Sequence, residues 1–375
     1  MKVLYLNSGN LFGGIETLLV TLAQARGAEP EMIPEFAVCF EGKFAKRLRE
    51  EGVAVTVLGE ARMSRPWQVW KAQRRLRDWI RQRRPDIGIC HGSWSQGLLG
   101  PVLRTEGVPL VYWTHDRVSE PLPWQERWAQ RTPPDLVIAN SAYTASGQGT
   151  LYKDCPQKVI YCALTPPRRR HSEEERRSFR EKVDTDPDST VIVQVSRLDP
   201  HKGHRIHLEA LAKLRDLTWT CWIVAGPQRP AEAEYLRELR AQAAQLGIAS
   251  KLRFLGWQES IDIVFDAADI FCQPNTGAEP FGLTFVEALW REKPVVTSAM
   301  AGALEVLTPE CGLLCPPGDV EALANALRSL VTDPGKRKAM GANGPARAKF
   351  LCDPPARLAE IREALESVVQ QSQGN

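Results

Sequence analysis

The 375-residue sequence is short of several things, and each shortage closes off a class of function. Its net charge is only +3, too small a bias to mark a surface for nucleic acid. No segment stays apolar for the ~18 residues of a membrane-spanning helix. The first residues, Met1-Lys-Val-Leu-Tyr-Leu-Asn-Ser8, pass straight into a strand without the apolar core of a signal peptide. The nine cysteines are scattered and include no C-x2-C pair. Cys311 and Cys315 stand closest, but no second Cys or His pair accompanies them, so a zinc site is not expected. Scattered thiols in odd number fit a reduced, cytoplasmic protein. The dinucleotide fingerprint G-x-G-x-x-G is missing, so a nicotinamide cofactor is not indicated.

What is present is strand–helix alternation along the whole chain. Lys2 to Asn7 reads as a buried strand, Gly9, Gly13 and Gly14 as a glycine loop, and Ile15 to Ala23 as a helix. That succession is the first unit of a doubly wound α/β domain. Further strands are expected at 33–39, 53–58, 86–91, 110–113 and 136–140, with Val159-Ile-Tyr161 closing a first domain over 1–165. Residues 163–189 are polar and charged, with Pro166-Pro167, Arg168 to His171 and Glu173-Glu-Glu175, and read as a connector. Its Asp184-x-Asp186-Pro-Asp188 reads as a solvated turn and not as a metal site. A second domain is expected over 189–352, with strands at 190–196, 219–226, 252–257, 269–274 and 293–298. A single helix is expected over 337–350 and a last amphipathic one over 355–371.

The most telling stretch is Glu279-Pro-Phe-Gly-Leu-Thr-Phe-Val-Glu287. Pro280 suits the turn before a helix, so Glu279 falls on the loop and Glu287 inside the helix. The amides of Phe281, Gly282 and Leu283 then point from the helix N-terminus, where the dipole favours an anion. Gly282 admits a close ligand. Two carboxylates and a row of amides suit a ligand with both hydroxyls and phosphates, such as a nucleotide sugar. A bare E-x7-E would be an ordinary amphipathic helix; the context decides. A strand-end turn, Arg197-Leu-Asp-Pro-His-Lys202-Gly203, supplies two cations able to neutralise a diphosphate. His201, His204 and His207 crowd that turn at a spacing that does not share one helix face, and read as non-ligating. Thr114-His115-Asp116 stands at the C-terminal end of a strand, where open α/β sheets bind ligands. Gly13-Gly14 at a helix N-terminus could admit a phosphate or an acceptor sugar.

The order E-P-F-G-L-T-F-V-E-A, then K-P-V-V, then G-L-L-C-P-P-G-D closely resembles the donor-site region of the retaining glycosyltransferases of family 4. Gly13-Gly-Ile-Glu16, His115-Asp116, the block 137–141 and the Arg197/Lys202 spacing are similar to that family too. The resemblance implies the GT-B fold, two Rossmann-like α/β/α domains with mainly parallel sheets facing across a cleft, the last helix packing back on the first domain. It implies hexose transfer from a nucleotide diphosphate sugar to a saccharide or lipid-linked acceptor, with retention and without a metal or other cofactor. A UDP-linked sugar is the expected donor. His115, Arg197, Lys202 and Glu279 would be catalytic. Gly14, Gly226, Phe281, Gly282, Leu283 and Glu287 would bind the donor, with Glu287 on the ribose, and Gly13 and Gly14 would face the acceptor. The resemblance puts the backbone around Leu255 to Trp257 near the base. Two stretches depart from the family pattern: Leu289-Trp-Arg-Glu-Lys293 replaces small residues, and Ala301-Gly302 stands where two glycines are common. Rival readings are another GT-B activity, an epimerase or a phosphorylase, or a nucleotide-sugar-binding protein without turnover.

One further stretch stands apart. Residues 62–84 hold nine Lys or Arg, three Trp and one acid. Val69, Ala72, Leu76, Trp79 and Ile80 recur at helical spacing. The stripe can pack on a sheet while the cations face anionic headgroups, which would seat the protein peripherally on the inner face of a membrane.

Overall fold

The computed structural model describes residues 1–258 and 260–374. The chain divides into two compact units, one of residues Met1–Thr165 together with the stretch from Cys352 onward, the other Pro166–Leu351. In the first, seven strands form one sheet: β1 Lys2–Asn7, β2 Ile33–Val38, β3 Ala54–Val57, β4 Ile87–His91, β5 Leu110–Thr114, β6 Leu136–Ala139 and β7 Gln157–Val159. Their order is β3-β2-β1-β4-β5-β6-β7. The second unit has β8 Thr190–Val195, β9 Trp219–Val224, β10 Leu252–Phe254, β11 Ile270–Gln273, β12 Val295–Ser298 and β13 Gly312–Cys315, in the order β10-β9-β8-β11-β12-β13. Every neighbouring pair is parallel. Covered on both faces, the central strands are apolar without alternation: all of Thr-Val-Ile-Val-Gln-Val in β8 is buried. In each sheet the order reverses beside the first strand, between β1 and β4 and between β8 and β11. The carboxyl ends of those strands frame the crevice where such sheets take ligands.

The second unit begins at Pro166 instead of 189, so most of the charged stretch 163–189 belongs to it and is not a connector. Ser172 opens the helix Glu173–Lys182 with a reciprocal capping box: its Oγ accepts from Glu175 N at 3.2 Å, and Glu175 accepts from Ser172 N at 2.8 Å. Glutamates in the first turn and bases in the last complement the helix dipole. Phe179 packs on Trp222, and Arg180 donates to Asp269 at 2.9 Å. The charge run is thus the solvent face of a packed helix. The helix expected over 337–350 is two, Pro334–Ala342 and Gly344–Cys352, interrupted at Asn343, whose amide donates to Glu310 O at 3.1 Å. The last helix, Pro354–Gln373, lies in the first unit against the helix Gly14–Gln24, and Arg362 pairs with Glu29 at 2.9 Å.

The residues that depart from the family pattern, 289–293, hold the first turns of the second unit. Arg170 pairs with Glu292 at 2.6 Å, and Arg291 donates to Arg169 O at 3.1 Å. Buried Asp266 accepts on one oxygen from Arg291 at 2.6 Å, from His171 N at 2.8 Å and from the His171 ring at 2.7 Å. Bulky, charged residues stand there because a segment of chain crosses them. Ala301 takes a left-handed φ of 50°, which explains why glycine is common in its place.

Candidate active site

In the second unit the sequence-distant charges Lys202 and Glu279 meet in a direct ion pair. Both are largely sheltered, with side-chain exposures of 19 % and 16 %. Lys202 ends a short turn, Pro200–Lys202, capped by Asp199, whose carboxylate accepts from His201 N at 3.0 Å. Gly203 follows with φ 72°, and a Cβ on it would lie 1.7 Å from Pro274 O, so no other residue fits. Thr276 N donates to His201 O at 2.9 Å and completes the junction between this turn and the segment after β11. Sequence reasoning passed over the support beneath. Gln194, fully buried in β8, donates to Lys202 O at 2.8 Å and meets the His207 ring at 2.8 Å. His204 bonds Ser196 Oγ at 3.1 Å. Burial pushes His207 down to about 3 and His204 to about 4, so both serve as neutral struts. The legible signal was a glutamine inside an otherwise apolar strand.

Glu279 precedes the helix Leu283–Trp290 as expected, and Gly282 is its N-cap with φ 94°. A Cβ at Gly282 would come within 2.3 Å of the Phe285 ring, so its glycine is required twice over, by conformation and by space. Glu279 O accepts from Gly302 N at 2.9 Å, tying the turn to the loop after β12. Glu287 is part-buried in the middle of the helix. Desolvation lifts its carboxyl to about 8, with Asp262 adding to the rise and Arg291 opposing it. Gly226 follows β9 and packs closely on the backbone of exposed Trp257. Arg197 is the outlier: its side chain is 64 % exposed, and its nearest acid is Asp199 at 3.5 Å. Lys202, Glu279, Phe281, Gly282 and Leu283 therefore form one local group, while Arg197 points to solvent at its margin.

In the first unit, Gly13 caps the helix Gly14–Gln24, and both glycines are exposed. Gly13 N donates to buried Glu16 at 2.8 Å. His115 follows β5 directly and is buried. Desolvation drives it down to about 3, so it is neutral at any ordinary pH. His91, the last residue of β4, was not singled out from the sequence; its Nδ1 lies 3.0 Å from His115 Nε2. Among the described residues no cluster of His, Cys, Asp or Glu suits a metal ion.

The family described as Glycosyltransferase Family 4 matches residues 12–168, and Glycosyl transferases group 1 matches residues 175–347. The chain is 30 % identical to a D-inositol 3-phosphate glycosyltransferase of Rhodococcus jostii over 73 % of its own length and 65 % of that relative. It is 28 % identical to a lipopolysaccharide core biosynthesis mannosyltransferase of Rhizobium meliloti, over 62 % of this chain and 66 % of the other. The matches thus span about two thirds of these relatives' length. Among solved structures, Anabaena HepE in complex with UDP-glucose superposes with a TM-score of 0.84 at 26 % identity, covering 98 % of this chain and 100 % of that one. A sucrose-phosphate synthase from Thermosynechococcus elongatus, 19 % identical, shares the fold at a TM-score of 0.80 over 98 % and 99 % of the two chains. The fold is α/β of the GT-B class, built from two Rossmann-like domains.

Proposed function

The chain belongs to glycosyltransferase family 4, and from that premise we propose that it moves a hexose from a nucleotide diphosphate sugar to a saccharide or lipid-linked acceptor, with retention of configuration. The observation that carries the reading is the meeting of Lys202 with Glu279 beside the Gly282 turn, at the switch point of the second sheet. A breaking sugar–phosphate bond leaves negative charge on the diphosphate. A lysine and a helix N-terminus already in place stabilise that charge without reorganising. On binding, Lys202 exchanges Glu279 for the diphosphate, and Glu279 turns to the hydroxyls of the transferred sugar. Arg197, held only by its long 3.5 Å contact with Asp199, swings onto the outer phosphate. In the second unit Glu287 holds the ribose and the backbone near Gly226 and Trp257 receives the base; in the first, His115 offers a contact to a sugar, and the acceptor lies by Gly13 and Gly14. UDP-glucose in the Anabaena structure supports a UDP-linked donor here. The chemistry needs no metal and no cofactor, and such a role fits polysaccharide or glycoconjugate synthesis in the cytoplasm.

The same reading extends to a membrane seat. No described helix is long and apolar enough to cross a bilayer. The helix Pro66–Arg83 buries Ala72, Leu76 and Ile80 and exposes Trp67 and Trp70, at 59 % and 56 %. Five of its region's cations are committed elsewhere: Arg62 to Glu60, Arg75 to Leu58 O, Arg77 and Arg81 to Glu106, and Arg83 to Glu35. The lipid-facing edge is therefore Met63, Trp67, Trp70, Lys71 and Arg74, narrower than the whole run of residues 62–84.

The test is a thermal-shift panel of UDP, GDP and ADP and their sugars on the full chain, followed by donor turnover with wild type and Lys202→Ala. Stabilisation by one nucleoside diphosphate, and turnover that Lys202→Ala lowers by about 10²–10³ while its melting stays cooperative, is the expected result. No shift with any nucleotide, or wild-type turnover in the variant, overturns the assignment.

A further inference from the structure

His91 ends β4 and His115 follows β5, on adjacent strands with His91 opposite Trp113. The three rings stack at centroid distances of 5.2 Å for His91–Trp113, 5.3 Å for His91–His115 and 6.1 Å for Trp113–His115. Tyr5 of β1 covers the other side of His91 at 5.9 Å. Both imidazoles are buried, at 3 % and 8 % exposure. The one hydrogen bond of the pair runs between His91 Nδ1 and His115 Nε2 at 3.0 Å. Burial keeps both rings neutral. A neutral pair places a single proton in that bond, and the choice of donor fixes both tautomers.

The two arrangements differ in what they strand. If His115 donated, His91 would carry its own proton on Nε2, which is buried and without a partner among the described residues. If His91 donates, its Nε2 is a bare lone pair. A buried N–H without an acceptor is the rarer orphan in folded proteins, which favours His91 as donor. His115 then holds its proton on Nδ1, which makes no other hydrogen bond among the described residues but, unlike His91 Nε2, is not fully buried, so its N–H can reach water or a ligand.

We infer that His91 is a positioning residue that holds His115 in the Nδ1-protonated tautomer, so that His115 meets its ligand as a hydrogen-bond donor. The ligand atom is therefore an acceptor oxygen, a sugar hydroxyl or ring oxygen or a phosphate oxygen, and not a group that His115 deprotonates. This rests on the proposed function insofar as His115 meets a sugar ligand. The stack supplies rigidity, and the His91 N–H supplies the choice of tautomer.

Nitrogen-15 NMR of the histidine-labelled full chain reads the tautomer without turnover. Six histidines give a tractable spectrum, with His115 assigned by its loss in His115→Gln. Nδ1-protonated rings at both positions are expected; an Nε2-protonated His115 overturns the inference. Kinetics supply the second arm. His91→Asn keeps an N–H donor within reach and stays within about threefold of wild-type kcat. His91→Phe keeps the stack, loses the donor, and drops kcat about tenfold at little change in donor KM, the worth of one buried hydrogen bond. Wild-type kcat in His91→Phe overturns the inference, and so does an equal loss in His91→Asn. If wild type turns over no nucleotide sugar, the functional reading falls, and the NMR result still decides the tautomer.

Discussion

At the carboxyl ends of β4 and β5 the first unit gathers two neutral imidazoles in an aromatic stack; beyond β8 and β11 the second gathers a lysine and a carboxylate. Both sheets are parallel, but the imidazoles stand one strand pair beyond the β1/β4 switch point, whereas the ion pair stands at the β8/β11 switch point itself. Buried rings without charge cost little desolvation, but they must be told which nitrogen carries the proton. Buried charges need no such instruction, but each needs a partner when no ligand supplies one. One unit therefore invests in tautomer control and the other in ion pairing.

The largest test of that contrast is Lys202→Ala against His115→Gln. Loss of the lysine removes a charge aimed at the leaving group and strands Glu279, so kcat should fall by about 10²–10³. His115→Gln keeps an N–H donor and should cost about tenfold. Equal losses in steady-state kinetics would break the contrast. Next, Gly282→Ala should destabilise the chain by about 1–3 kcal/mol from backbone strain alone, plus the Phe285 clash, in urea unfolding. Ala301→Gly, which relieves a left-handed φ of 50°, should stay within about 1 kcal/mol of wild type.

Proton linkage gives a third test. Burial lifts Glu287 from 4.5 to about 8. Across that window the folded chain holds a proton that the unfolded chain releases. The contribution is full below pH 4.5 and drains as pH climbs to about 8. The lowered histidines run oppositely: the contribution of His115 is full above 6.5 and lost as pH falls toward about 3, and His204 and His207 add the same sense in the second unit. Glu287→Gln should flatten the decline between pH 5 and 8, each tenfold in proton affinity being worth about 1.4 kcal/mol, and leave the acid limb unchanged. A persistent decline in melting temperature would show that Glu287 does not carry it. The smallest effect belongs to the first unit's outer edge. Lys71→Glu with Arg74→Glu should weaken binding to anionic liposomes by about 1 kcal/mol per residue at low salt. Arg81→Ala, which breaks only the Glu106 pair, should leave it unchanged in co-sedimentation.

The second unit's site was legible in the sequence because its parts are contiguous. Glu279 to Glu287 reads as loop, cap and helix in one line, and Lys202-Gly203 sits at a strand–helix turn. What could not be read was the direct bond of Lys202 to Glu279, which spans 77 positions, nor the exposure of Arg197. In the first unit the site is assembled from the ends of separate strands, so His115 showed itself by its position and His91 did not. Nothing local distinguishes Cys90-His91 from the close of any buried strand. The failed connector has a different cause. Charge density suggested solvent, but Phe179 and Arg180 anchor one face of that helix while its acids and bases line the other.

The lysine–glutamate contact also makes each group a competitor for whatever the other would bind. An incoming inorganic phosphate offers the lysine a new mate but leaves the acid widowed. A nucleotide sugar brings anionic oxygens for one and hydroxyls for the other, so both are rehoused in a single event. On the proposed reading a molecule with two unlike ends satisfies both groups, whereas a simple anion satisfies only the lysine.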